Sequence, residues 1–136
     1  MANWMTIIYK MDGDKQQLQE VKEVIEETMS MTVPVEKSDF GVRWIGFMVK
    51  ALGGDPEKVY CRGSVIEWGM TDGVLTVMVD IAESVCCEEL FKFLQQRMPN
   101  CKVYYLEDDN CGTRYSNDKD WKYFSVFYSK ESVKIV

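Results

Sequence analysis

Three groups of residues in this chain could do chemistry. They are an acidic run at Glu107, Asp108 and Asp109 with Asn117 and Asp118 shortly after it, a thiol pair at Cys86 and Cys87, and aromatic side chains including Trp68 and Tyr104. Oxygens gathered across a turn suit Mg²⁺ or Ca²⁺, but Ca²⁺ takes roughly six to eight of them. Neither a D-x-[DN]-x-[DN]-G loop nor a phosphate-holding glycine loop occurs, so the run reads as a solvated turn and no metal is assigned. Thiols at a helix start can be activated by unpaired N–H groups, yet Glu88 and Glu89 oppose thiolate formation, and packing is the expected role. The chain has no histidine, which removes Ser-His and Cys-His pairs, imidazole ligands and histidine acid–base work. Nothing fixes the separation of any two carboxylates at a glycosidase spacing. No catalytic residue and no cofactor is therefore assigned.

The aromatics Trp4, Trp68, Tyr104, Tyr115, Tyr123 and Phe127 could line one sheet face and stack bases. Charge opposes this, because 16 Lys+Arg face 22 Asp+Glu for a net charge of -6. Cations near these strands are few (Arg62, Lys102, Arg114, Lys122), and no RNP-like Gly-Phe-Gly-Phe string is present. Non-specific nucleic-acid binding is disfavoured, core and dimer packing is the ordinary use of such rings, and the charge is too modest for mimicry of DNA. The five cysteines form an odd set without C-x-x-C, which predicts free thiols and no zinc. The apolar run 4–9 lacks the basic start and the length of a signal peptide, and about 18 consecutive apolar residues occur nowhere. A cytoplasmic, non-membrane protein is expected. At 136 residues the chain is expected to form one domain over 1–136.

The elements that would position these residues follow from periodicity. Residues 4–11 alternate as a strand with Met5, Ile7, Tyr9 and Met11 on one side. Asp14 caps a helix over 14–30 with Gln17 as its capping-box partner, Leu18, Val21, Ile25 and Met29 as the apolar stripe, and an acidic outer face at Glu20, Glu23, Glu26 and Glu27. An extended connector at 32–35 leads to a second helix over 39–52, capped by Ser38 or Asp39, with Val42, Ile45, Val49 and Leu52 as its stripe beside Trp44 and Met48. Residues 60–68 and 74–82 form a hairpin. Ser84 caps a third helix over 85–97 with Leu90, Phe91, Leu94 and Met98 inward. A strand at 102–106, a turn at 109–112, strands at 113–116 and 121–128, and a frayed tail from 129 complete the chain.

The run Val65-Ile66-Glu67-Trp68-Gly69, then Leu75-Thr76-Val77, Tyr104-Tyr105-Leu106-Glu107-Asp108-Asp109-Asn110-Cys111-Gly112, and Tyr115-Ser116-Asn117-Asp118 before Tyr123-Phe124 resemble the YubB-type ferredoxin-like proteins of bacterial plasmids, phages and other mobile elements. The resemblance covers about 70 residues in the second half, several motifs occurring in order. It implies a ferredoxin-like fold and a mobile-element setting and supplies no catalytic residues. The element order itself predicts an α+β fold of that kind: a mostly antiparallel sheet, helices on one face, an inserted helix and a C-terminal hairpin. The expected function is a non-enzymatic accessory or interaction module that binds a protein partner, a second copy of itself included, through the open sheet face or an edge. Trp68, Tyr104, Glu107, Asp109, Asn117 and Asp118 are the candidate binding residues. The alternatives are a single-stranded nucleic-acid-binding module and a carboxylate- or cysteine-based hydrolase.

Overall fold

The computed structural model describes residues 4–32, 38–82, 87–109, 112–125 and 128–136. The elements run β1 (Trp4–Gly13), α1 (Lys15–Met29), a 3-10 turn (Gly41–Arg43), α2 (Ile45–Ala51), β2 (Gly63–Thr71), β3 (Val74–Ala82), α3 (Cys87–Arg97), β4 (Cys101–Asp108), β5 (Arg114–Ser116), a second 3-10 turn (Lys130–Ser132) and β6 (Lys134–Ile135). They form an α+β fold around a six-stranded sheet in the order β2-β3-β1-β4-β5-β6. All pairs are antiparallel except β5 with β6. The central order β2-β3-β1-β4, with helices crossing from β1 to β2 and from β3 to β4, is compatible with a ferredoxin-like arrangement.

Strand alternation decides which side chains meet the helices. Ile7, Tyr9 and Met11 of β1, Leu75, Val77, Val79 and Ile81 of β3, and Val103 and Tyr105 of β4 join Leu18, Val21, Ile25 and Met29 of α1 and Leu90 and Leu94 of α3 in one buried cluster. The expected stripes of α1 and α3 are thus the ones buried, except that Phe91 is only half-buried. Asp14 caps α1 by accepting from the backbone N–H groups of Gln16 and Gln17 at 2.9 and 3.0 Å. Gln17 does not close a capping box; its side-chain oxygen accepts from the N–H of Asn100 at 3.1 Å and ties the start of α1 to the start of β4. At the β2–β3 turn Asp72 and Gly73 both have positive φ (52° and 76°), the geometry that suits the twist of a two-residue hairpin.

Further expectations differ from the structure, beginning with the strand expected at 60–68, which is β2 at Gly63–Thr71 because its pairing with β3 continues up to the Asp72-Gly73 turn. The second helix is short, because the chain makes a 3-10 turn at 41–43 and Trp44 bridges to Ser64 before α2 begins. Ser38 accepts from the N–H of Phe40 at 3.0 Å, and Val42 is only half-buried. The expected strand at 121–128 is absent over its described residues, because the Asp118 carboxylate gathers the N–H groups of Lys122, Tyr123 and Phe124 and curls the segment. The closing hairpin is therefore β4–β5. The tail is not frayed, since Val133 is buried, β6 runs beside β5, and the N–H of Val136 donates to the carbonyl of Ser116 at 2.8 Å. Residues 33–35 of the expected connector, the cap Ser84, Cys86, Asn110, Cys111 and Phe127 lie outside the described residues. No helix among the described residues is long and apolar enough to cross a membrane.

Candidate functional site

The second sheet face is divided by the C-terminal segment. Leu106, Phe124 and Val133 form a second buried cluster, with Ile8, Tyr104, Trp121, Tyr123 and Tyr128 packed against it. This segment overlays β4 and the neighbouring part of β1, so the expected open face is half covered. The aromatics do not form one platform. Direct pairing with Val77 puts Trp68 on the helix side, where Arg43 stands 5.0 Å from its ring. Tyr104 lies on the other face, edge-on to Tyr123 at 4.9 Å, and Trp4 meets Phe40 at 6.3 Å.

The acidic run does not converge. Glu107 pairs with Ile7 and so faces the helix side, while Asp108, one residue on, faces the other and takes the Arg114 guanidinium at 3.3 Å. Asp109 closes its own turn, its carboxylate accepting from the N–H of Thr113 at 3.0 Å. Asn117 turns back to β4, its side-chain oxygen accepting from the N–H of Tyr105 at 2.7 Å and its NH₂ donating to the carbonyl of Val103 at 3.0 Å. Asp118 is buried on the three N–H groups at 2.9, 2.8 and 3.0 Å. Among the described residues no group of three or more potential ligands is placed to hold a metal. An Asn-Asp step is a strong former of side-chain-to-backbone turns, and that was the signal for the role these two residues have.

Two arrangements were not legible beforehand. The first is an amide ladder along β4. Beyond Ser116 the neighbouring strand leaves β4, and two side-chain amides take its place: Asn117 at Val103 and Tyr105, and Gln95 at the carbonyl of Cys101 (2.7 Å) and the N–H of Val103 (3.1 Å). The Ser116 hydroxyl adds a donation to the carbonyl of Tyr105 at 2.7 Å. An amide carries both donor and acceptor and so copies a backbone partner. The edge is thereby closed to strand addition.

The second is a latch between β1 and the C-terminal segment. The Tyr123 hydroxyl donates to the Asp12 carboxylate at 2.5 Å, and Lys15 and Lys122 reach its two oxygens at 3.2 and 3.5 Å. The Tyr123 bond, reinforced by the lysines against partial desolvation, holds Asp12 down at about 2. Burial, then the carboxylate beside it, pushes Tyr123 up to about 12. Lysine and arginine side chains lie over rings throughout this layer: Lys102 and Lys122 over Tyr104, Lys130 over Trp121, Arg114 over Tyr128 and Lys134 over Tyr115. These cations stand among Asp12, Asp108, Asp118, Asp120 and Glu131, so the layer is aromatic and mixed in charge, whereas the outer face of α1 is acidic.

Cys61 and Cys101 are free and buried. Burial, with Glu89 beside it, pushes the Cys61 thiol up to about 12, and burial raises Cys101 too, so neither is poised as a nucleophile. Over β1, β3 and β2 the second face carries Thr6 donating to Asp80 at 2.9 Å, Lys10 donating to Thr76 at 3.1 Å, and Ile8 paired with Met78 between them. Compared with protein-family models, curated proteins and solved structures, the chain matches none.

Proposed function

We propose that this protein is a non-enzymatic interaction module that binds a protein partner on the β1–β3–β2 half of its second sheet face. The observation that carries this reading is Met78. It is half-buried and belongs to neither apolar cluster, yet it lies beside Ile8 inside a polar frame of Thr6–Asp80, Lys10–Thr76 and the exposed Glu67. An apolar centre with a polar rim is the anatomy of a binding patch, and methionine adapts to a partner's shape. Glu67 and Asp80, on a chain of net charge -6, favour a partner segment that brings a cation beside its apolar anchor. The β4 edge is closed by amides, which favours docking on this face over strand addition there. The resemblance to YubB-type proteins supports a mobile-element accessory role, and the free thiols Cys61 and Cys101 support a reducing, cytoplasmic setting.

The test is capture from nuclease-treated host lysate with wild type, Met78→Glu and Lys119→Glu as baits, followed by cross-link mapping of the captured protein. A protein lost with Met78→Glu, kept with Lys119→Glu and cross-linked to β1 or β3 supports the reading. Capture unaffected by Met78→Glu defeats it. Light scattering of the purified chain decides whether the partner is a second copy.

A further inference from the structure

We propose that the groove along the amide-closed edge of β4 is a binding site for a planar aromatic anion of the nucleoside-phosphate class. The groove encloses about 420 Å³ and is walled by Phe91, Tyr104 and Tyr105, with Lys102, Lys119 and Asn117 among its polar groups. That volume falls within the roughly 300–1,000 Å³ typical of small-molecule sites. It lies where β5 has left β4 after Ser116 and the Asn117 amide takes the place of a strand at Val103 and Tyr105.

The lining selects the ligand by chemistry. Aromatic rings border the opening on both sides of the sheet edge: Phe91 packs on Tyr105 at 5.2 Å on the helix side, and Tyr104 stands on the other. Tyr105 is buried and the Tyr104 ring already carries Lys102 and Lys122, so a planar ring would be met by the half-buried Phe91 and Tyr104 through edge contacts. Lys102, with its ammonium 5.2 Å from the Tyr104 ring, and the exposed Lys119 supply two cations at the mouth. They favour an anionic substituent on that ring. Asp120 also lines the groove and opposes a bare anion, but a heterocycle with N–H donors would satisfy its carboxylate. Asn117 uses one N–H on Val103, leaving the second hydrogen of its NH₂ as a donor to a ring acceptor. A hydrocarbon acid would leave Asp120 unmatched, and inorganic phosphate would leave the rings unmatched. A base joined to a phosphate meets all of these groups.

The same chemistry can come from a free mononucleotide or from one nucleotide of a single strand. The experiment titrates adenosine and cytidine 5′-monophosphates, the matching nucleosides, inorganic phosphate and a short single-stranded oligonucleotide into the full chain, read by calorimetry and by amide shifts in ¹H–¹⁵N spectra. Mononucleotides should bind at least about tenfold more tightly than nucleoside or phosphate, with shifts at Phe91, Tyr104 and Asn117. Lys102→Glu and Lys119→Glu, both at exposed positions and checked for unchanged melting, should each weaken binding several-fold. An oligonucleotide that binds more tightly than the mononucleotide, at the same residues, identifies the source as a strand; equal or weaker binding identifies a free nucleotide. No binding by either, binding matched by phosphate alone, or binding indifferent to both substitutions overturns the proposal. These readouts are independent of Met78, so this site and the protein-binding face stand or fall separately.

Discussion

Asp118 shows how one residue shapes a segment. Its buried carboxylate accepts from three consecutive backbone N–H groups, those of Lys122, Tyr123 and Phe124, which no strand pairing satisfies. Removing it leaves the buried Phe124 donor unpaired, at about 1–3 kcal/mol, and the partly buried donors of Lys122 and Tyr123 at less. Asp118→Ala should therefore lower stability by about 3 kcal/mol in urea unfolding, and Asp118→Asn, which keeps one acceptor, by less. A loss below about 0.5 kcal/mol for the alanine variant would contradict this role. The Asp12–Tyr123 latch makes a second prediction at this scale. Asp12 stands at about 2 in the folded chain against an ordinary value of about 3.9, so its contribution is present above about pH 4 and is lost as pH falls toward 2. Tyr123 stands at about 12 against an ordinary value of about 10, so its contribution is present below about pH 10 and is lost as pH rises toward 12. The stability–pH profile should fall at both ends, and Tyr123→Phe should flatten both limbs; limbs as steep as the wild type's would show that the latch contributes nothing.

At the scale of elements, the part of β4 that β5 does not reach is a local edge protected by side chains. Gln95 and Asn117 occupy the backbone groups of Cys101, Val103 and Tyr105 that another chain would otherwise pair with. The double substitution Gln95→Ala with Asn117→Ala should expose that row and produce concentration-dependent self-association in size-exclusion chromatography with light scattering. A double variant that stays monomeric at every concentration would show that the amides do not guard the edge. Helix and strand identities were legible from periodicity because each depends on local alternation: the stripe of α1 and the extent of β3 follow from spacing alone. The segment after Ser116 was not legible. Its aromatic run reads as a strand by propensity, and only the competing bonds to Asp118 turn it into a covering loop.

For the whole molecule, the sheet joins two apolar layers. The helix-side cluster holds Ile7, Tyr9 and Met11 of β1 with Val103 and Tyr105 of β4, while the C-terminal cluster holds Leu106 and draws in Ile8 and Tyr104, so the same two strands carry both. The layers should unfold together. Hydrogen exchange of α1 and of residues 117–125 through a urea series should give coincident midpoints, whereas an earlier midpoint for the C-terminal segment would show that it lifts off a stable remainder. Charge also becomes intelligible only at this scale, with Glu20, Glu23, Glu26 and Glu27 exposed on α1 and the lysine-over-aromatic contacts gathered around the C-terminal layer. By itself the sequence determined the α+β class, the identity of the helices and central strands, the apolar stripes and the exclusion of histidine chemistry, because these rest on composition and short-range spacing. Tertiary structure alone decided that Trp68 and Tyr104 lie on opposite faces, that Glu107, Asp109, Asn117 and Asp118 do not converge, and that Asp12 meets Tyr123. Such pairings join residues as far apart as 111 positions, and no local pattern encodes a contact at that separation.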